Sequence, residues 1–317
     1  MSAWTRYESR TLIRALQHAP SVHNTQPWAL ELHERNALLF ERRDIALPHH
    51  DPTGRDRLLS CGAALANLEL AASALGWRCT TSLGDPVHVA ATDRLAPSDV
   101  ELAQFDAIPL RRSHRFPFAA EGLSAEEIRT ITEAATGSGV GVHLIAEEEH
   151  VHTVAGLVEY ARNVFRANRA YQHELRGWTT HRHNRRVHSG IPHERFGPGL
   201  YFGGIVRRDW PTPDVEGIAA QIRRETVLVF STENDSRREH LLTGAALQRA
   251  WLSATALGLA ASVITQPLQL SEVRRGLAAR LELPGRPHAL LRVGRPIHAL
   301  AAVPHKPAYE FVLELPS

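Results

Sequence analysis

The sequence predicts an α+β fold, and two observations carry the expectation. Short apolar runs of strand character alternate with longer stretches of helical periodicity along the 317 residues. Helices flanking a largely antiparallel sheet would give this pattern. A Gly- and Ala-rich stretch also occurs twice: Gly62 to Trp77 reads GAALANLELAASALGW, and Gly244 to Leu259 reads GAALQRAWLSATALGL.

The first helix is expected over Arg10 to His18, with Leu12, Ile13 and Leu16 on one face. Strands follow at Trp28 to Leu32 and Ala37 to Phe40. A long helix covers Arg57 to Leu75, and the Gly after it suits a C-terminal cap. Ser124 and Glu127 predict a capping box opening a helix over Ala125 to Ala135, with Leu123 and Ile128 as the adjoining apolar staple. Gly137, Gly139 and Gly141 then mark a turn before a strand at Val140 to Ala146. Helices at His150 to Val164, Glu239 to Leu257 and Glu272 to Leu281 complete the set, with strands at Thr226 to Ser231 and His288 to Val293.

Composition narrows the function classes. A formal net charge of +2 is too balanced to predict nucleic-acid binding. No apolar run is long enough for a bilayer span, and the first ten residues contain no signal-peptide core. Cys61 and Cys79 form neither a disulfide framework nor a metal-ligand spacing, so a reducing cytoplasm is the expected compartment.

Two polar runs stand out. Ala19 to Trp28 reads APSVHNTQPW, where Pro20 and Pro27 fix the backbone around Ser21, Asn24 and Gln26. Arg111-Arg112-Ser113-His114-Arg115 sets three guanidinium groups and a hydroxyl close together, the chemistry that a phosphate monoester calls for. Taken alone, each has an ordinary alternative: a polar helix-to-strand loop, and a solvated basic surface. Together they resemble the nitroreductase family of FMN-dependent oxidoreductases. The resemblance implies that Pro20, Ser21, Asn24 and Gln26 lie along an isoalloxazine ring, and that Arg111, Arg112, Ser113 and Arg115 hold the ribityl phosphate. Ser262 to Pro267 resembles the family segment that offers backbone N–H groups to the ring, here around Ile264, Thr265 and Gln266. Simple members carry a Glu-Gly pair where Thr265-Gln266 stands. Pro304-His305-Lys306-Pro307 resembles the family's closing RKP, so that His305 or Lys306 would complete the phosphate site.

The arginine run follows the turn, the reverse of the order in a simple family member. A duplication accounts for this. Leu12 to Ala19 corresponds to Ile128 to Ala135, as Gly62 corresponds to Gly244. The first copy keeps the turn and lacks the arginines; the second keeps the arginines but has a Gly-rich turn. The chain thus resembles the single-chain, pseudo-dimeric Acg-type members known from actinobacteria, with halves at 1–110 and 111–317 and one composite site. The implied protein binds one FMN per chain, takes electrons transiently from NAD(P)H, passes them to a small-molecule acceptor, and is a monomer, with a homodimer as the alternative. On this reading the flavin carries the chemistry and no side chain is required as an acid–base catalyst. The competing expectation is a protein that sequesters or senses FMN with little turnover.

Apolar periodicity fades over 166–213, where Arg, His, Gly and Pro accumulate, and the second copy is longer by about this segment plus a helix. Trp178, Phe196, Tyr201 and Phe202 predict a docked lid over the site rather than a disordered linker. His181, His183, His188 and His193 lack metal-ligand spacing, so no metal is expected. The glycines at 137, 139 and 141 follow a helix and precede a strand, the wrong context for a dinucleotide fingerprint.

Overall fold

The computed structural model describes residues 3–136, 139–180, 188–195, 205–211 and 213–314. Helix α1 (Arg6–Gln17) begins four residues before the expected start, because Thr5 and Glu8 form a reciprocal capping box. It buries Leu12, Ala15 and Leu16. After the Ala19–Trp28 turn come β1 (Trp28–His33) and β2 (Asn36–Glu41), paired antiparallel. Helix α2 (Arg55–Ala74) is buried along most of its length. Strands β3 (Trp77–Ser82) and β4 (Val87–Arg94) and helix α3 (Asp99–Ala107) were not expected. Their outer faces are exposed and polar, and β3 is largely exposed, so the hydrophobic alternation is faint in the sequence.

The second half opens with α4 (Ala125–Ala135), which has the expected bounds and the expected Ser124–Glu127 box. Strand β5 (Val140–Leu144) follows; of the glycine turn, residues 137 and 138 lie outside the described residues. Next come α5 (Glu148–Ala167), α6 (Arg169–Trp178), β6 (Thr179–Thr180), β7 (Ile191–Pro192) and α7 (Val215–Ile222). Then β8 (Thr226–Thr232), α8 (Arg237–Ala256), β9 (Ala260–Ile264), α9 (Ser271–Arg280) and β10 (Arg286–Gly294) complete this half. The last strand, β11 (Val312–Glu314), returns to pair parallel with β1.

The two main sheets share one strand order. The first runs β1-β2-β4-β3, with β11 added at the β1 edge; the second runs β5-β8-β10-β9. All neighbours within these four-strand sets are antiparallel. In each set a helix, α2 or α8, connects the second strand to the third in chain order. The segment between β5 and β8, holding α5 to α7, stands where the first sheet has only the tight β1–β2 connection.

Part of the segment read as irregular is therefore helical. Helix α6 buries Tyr171, Gln172 and Leu175, and Asn168 caps it by accepting from Tyr171 N. Its surrounding Arg and His residues mask a one-face apolar pattern. Of the four aromatics expected in a lid, Trp178 ends α6, whereas Phe196, Tyr201 and Phe202 lie outside the described residues, as do His181 and His183.

Helices α2 and α8 cross in direct backbone contact. A methyl group placed on Gly62 would sit 2.1 Å from the Leu241 carbonyl oxygen, and one on Gly244 would sit 2.1 Å from the Leu59 carbonyl oxygen. The contact is reciprocal: corresponding positions of the repeated stretch meet each other. Both helices also end alike, with Gly76 and Gly258 at φ 79° and 75° donating their N–H groups to the Ser73 and Thr255 carbonyls.

Gly62→Ala should therefore destabilise the protein by about 1–3 kcal/mol, since carbonyl and methyl cannot share the space. Gly156→Ala, with nothing within 4 Å of the new methyl, should be neutral or stabilising by up to about 1 kcal/mol. Chemical denaturation of both variants checks the pair. A second expectation concerns His288, fully buried on β10, where burial together with His240 and Arg274 pushes its imidazole down to about 3. The unfolded chain takes up that proton below about pH 6.5 and the folded chain does not, so stability falls as pH drops from 6.5 towards 3. Between pH 7 and pH 5 this one group should cost on the order of 2 kcal/mol. Melts of wild type and His288→Gln at both pH values should show a smaller acid loss in the variant.

Candidate functional site

The Ala19–Trp28 turn is strained and firmly braced. His23, Asn24 and Gln26 lie at φ 47°, 55° and 49°, in the left-handed region that non-glycine residues seldom occupy. Ser21 Oγ accepts from Gln26 N at 2.9 Å, and Val22 N donates to Ser60 Oγ on α2 at 3.0 Å. The Gln26 amide ties three segments together. Its Nε2 donates to Asn24 O at 3.1 Å and to His188 O at 2.8 Å, while Oε1 accepts from Lys306 N at 2.8 Å. Asn24 Nδ2 donates to Pro304 O at 3.0 Å. The turn is thus held by its own side chains, by α2, and by the His188 and Pro304–Lys306 segments.

Two connected lobes of a cavity open beside this turn, and Pro20, Ser21, Ser113, Arg115 and Ile191 line both. The first lobe is mostly apolar, with Leu59 and Ala63 from α2, Leu247 and Trp251 from α8, and Ile205 from the long connection. The second is cationic. Arg111, Arg112, Arg115, Arg195 and His305 line it, together with Asn24 and the backbone of Gly190.

The cationic lobe lacks countercharge. Among the described residues, no carboxylate forms an ion pair with Arg111, Arg112, Arg115 or Arg195. Arg111 lies over the Trp251 ring, 4.4 Å from its centroid, with Nε and Nη1 buried and without a partner among the described residues. Burial, with Arg112 and Arg115 nearby, pushes its guanidinium down to about 9. Burial beside Arg195 pushes Arg115 down to about 10. His305 Nδ1 is likewise buried and unpartnered, and burial next to Arg111, His18 and Arg112 pushes its ring down to about 3. Buried donors left without acceptors are costly, so this lobe is built for an anion.

Comparison with known proteins fits this chemistry. The family model described as "Nitroreductase family" matches residues 108–295, opening just before the arginine run. "Putative NAD(P)H nitroreductase Rv3131" of Mycobacterium tuberculosis H37Rv is 30% identical over 301 residues, covering 92% of this chain and 86% of that protein. "Putative NAD(P)H nitroreductase acg" of the same strain is 30% identical over 299 residues, covering 90% and 88%. This chain belongs to the nitroreductase family. Among solved structures, nitroreductase A from Vibrio parahaemolyticus is similar at 14% identity and a TM-score of 0.41, covering 65% of this chain and 73% of that one.

For a nitroreductase-family chain, the structure gathers most of the expected site residues and sets others apart. Pro20, Ser21, Asn24, Arg111, Arg112, Ser113, Arg115, Thr265 and His305 line the cavity. Gln26 is fully buried and acts as a brace within the turn. Ile264 points into the core of the second half, and Gln266 is buried beside the Tyr171 hydroxyl. Of the two alternatives near the end, His305 faces the cationic lobe. Lys306 Nζ instead donates to Thr25 O at 2.8 Å, back in the turn. Sequence reading missed His23, His50 and Asp56, which form the polar inner wall of the apolar lobe, and Arg195 in the cationic lobe. Their only sequence signals were a histidine within the turn run, the His49-His50 pair, an aspartate between two arginines at Arg55-Asp56-Arg57, and one arginine among many in an Arg-rich segment.

Because Gln26 satisfies three backbone groups, Gln26→Ala should destabilise by about 2–3 kcal/mol, whereas Asn24→Gly, which loses one hydrogen bond but keeps the left-handed backbone, should cost about 1 kcal/mol. Urea denaturation of the two variants checks the ranking.

Proposed function

We propose that the protein is an FMN-dependent oxidoreductase that binds one flavin in this cavity, with the phosphate in the cationic lobe. The observation that carries this reading is the set of guanidinium groups whose buried nitrogens have no partner, and which have no carboxylate paired with them, among the described residues. A phosphate monoester supplies the oxygens these donors lack. Arg111, Arg112, Ser113, Arg115 and His305 would hold it, and Arg195 from the long connection adds a further cation. Pro20, Ser21 and Thr265 would border the ring, against the apolar wall of Leu247 and Trp251. When bound, FMN supplies the redox chemistry, with NAD(P)H as transient donor and a small molecule as acceptor.

The chain is read here as two fused copies, 1–110 and 111–317. The shared strand order and the reciprocal Gly62–Gly244 contact support this, since a two-fold interface pairs each patch with its own copy. One half contributes the polar turn and the other the arginines, which supports one composite site and a chain that is monomeric in solution. Ile191, Arg195 and Ile205 border the cavity, which supports a cover formed by the long connection. That same feature favours the second reading, a protein that holds FMN with little turnover because its access is closed. Anaerobic mixing with NADH or NADPH distinguishes them: bleaching of the flavin within seconds supports the oxidoreductase, and none within minutes supports sequestration. No helix among the described residues is long and apolar enough to cross a membrane.

The purified protein should release one FMN per chain, read as flavin absorbance against protein. Arg111→Ala or Arg115→Ala should weaken FMN by about 1.5–3 kcal/mol each. Riboflavin, which lacks the phosphate, should bind wild type and variants almost equally. Equal losses of riboflavin and FMN would remove the arginines from the phosphate site.

A further inference from the structure

A second polar cluster forms where the loop before α8, the start of α8 and the start of β10 meet. Asp235, His240 and His288 each offer one ligand atom there, and these atoms all lie within 4.8 Å of one another. None of the three lines either lobe of the cavity described above. None belongs to the histidine run at 181–193, and only folding brings them together. His288 is fully buried, whereas Asp235 reaches a surface cleft that it shares with Arg274, Arg275 and Arg286.

The hydrogens of this cluster can be assigned one by one. Thr232 Oγ1 donates to Asn234 O at 2.7 Å. It has no second hydrogen, so at its 2.6 Å contact with His288 Nε2 it accepts. The hydrogen of the neutral His288 ring is therefore on Nε2, and Nδ1 carries a lone pair. That lone pair is buried, has no hydrogen-bond partner among the described residues, and faces Asp235 Oδ1 at 3.7 Å. Asp235 is a carboxylate: His240 Nε2 donates to its Oδ1 at 2.7 Å, and Arg274 Nη1 holds its Oδ2 at 2.9 Å. One acceptor thus confronts another, and the two repel unless a cation joins them. A proton fills that role poorly, since burial, with His240 and Arg274 nearby, pushes the His288 imidazole down to about 3. The Thr232 bond alone would fix a structural histidine. It does not account for a second nitrogen turned on a carboxylate.

We propose that Asp235 Oδ1, His240 Nε2 and His288 Nδ1 bind a zinc ion, with Thr232 as the residue that positions His288. Two imidazoles and one carboxylate are a zinc donor set, whereas calcium and magnesium take oxygen ligands. Zinc bonds of about 2.0–2.1 Å set tetrahedral ligand atoms about 3.3 Å apart. The 2.7 Å and 3.7 Å pairs therefore need only small side-chain shifts. Zinc takes the place of the hydrogen between His240 and Asp235, and that hydrogen moves to Nδ1 of the same ring. Water from the cleft completes the fourth position. Arg274 opposes the ion by its charge and serves it by holding Oδ2, which leaves Oδ1 turned to both imidazoles. The ion would clamp the start of α8 to β10, and so brace the helix that carries Gly244, Leu247 and Trp251. This inference does not depend on the flavin reading. The acid loss attributed to His288 belongs to the ion-free protein and is read in EDTA.

The experiment uses the purified full chain as it is isolated, stripped with EDTA and exchanged into metal-free buffer. Zinc is titrated calorimetrically, and melting temperatures are taken with and without it. Wild type should bind one zinc per chain at micromolar concentration, melt higher with zinc, and show neither effect with calcium. Thr232→Val removes the hydrogen-bond partner of one ligand and should weaken zinc by about 10–100-fold. Thr232→Ser, which keeps the hydroxyl, should bind as wild type does. Loss of a ligand in His240→Gln or Asp235→Asn should weaken zinc further than Thr232→Val. Glu31, His33 and Glu314 form a second cluster at the surface, so His33→Gln is the control and should leave zinc binding within twofold of wild type. Melts in EDTA show that each variant is folded, and where a ligand variant is not, the Thr232→Val and Thr232→Ser pair decides. The proposal is overturned if wild type binds no zinc at micromolar concentration, if His240→Gln and Asp235→Asn bind it as wild type does, if Thr232→Ser loses it as Thr232→Val does, or if His33→Gln abolishes it.

Discussion

The crossing of α2 and α8 through Gly62 and Gly244 sets the position of everything around the cavity. With no side chain at either crossing point, the two backbones come into contact, and residues within two turns of it on each helix converge on one space. From α2 these are Leu59, Ser60 and Ala63; from α8 they are Leu247 and Trp251. Ser60 also anchors the polar turn through Val22 N, and Trp251 carries the Arg111 guanidinium on its face. One close contact thus fixes the distance between the Ala19–Trp28 turn and the arginine run. A larger residue at the crossing would widen the cavity and separate its two chemical poles.

Electrostatics works against this frame. Guanidinium groups gathered without carboxylates repel one another, and burial removes the water that would screen them. The protein tolerates this because the cation–π contact of Arg111 and the carbonyls that accept from Arg112 supply part of the missing stabilisation. The rest is left open. Strain in the turn follows the same pattern: three left-handed residues persist because Gln26 and its partners over-determine the backbone.

What the sequence disclosed depended on how local each feature was. Helix α4 was legible to the residue because its cap and its apolar face adjoin. Helix α1 started earlier than its apolar face suggested, because Thr5 and Glu8 lie upstream of the periodic residues. Helix α6 was hidden by the arginines and histidines around Tyr171 and Leu175. The arginine run was legible because charge density needs no neighbour to be seen. The choice between His305 and Lys306 was not, since it turns on the chain trace that brings Lys306 Nζ back to Thr25. His23, His50 and Asp56 were illegible as a group: they become one wall only after the turn, the loop before α2 and α2 itself have folded together.

The arrangement ties stability to occupancy. In the cavity the polar atoms without partners among the described residues include Arg111 Nε and Nη1, Arg112 Nε, His305 Nδ1 and His23 Nε2. Each is an atom whose desolvation is at best partly compensated by the contacts of its own side chain. An anion at the cationic pole would relieve the costs borne there without any change of backbone. A ligand that binds only the folded chain shifts the folding equilibrium in proportion to the logarithm of its concentration over its dissociation constant. The cofactor proposed here would then act as a structural element, joining the two halves across the cavity, as well as a reagent. Stabilising substitutions at the cationic pole, which remove charge, would strengthen the empty protein at the expense of the ligand. The strain therefore sits where the site is, beside the glycine crossing that brings the polar turn and the arginine run together.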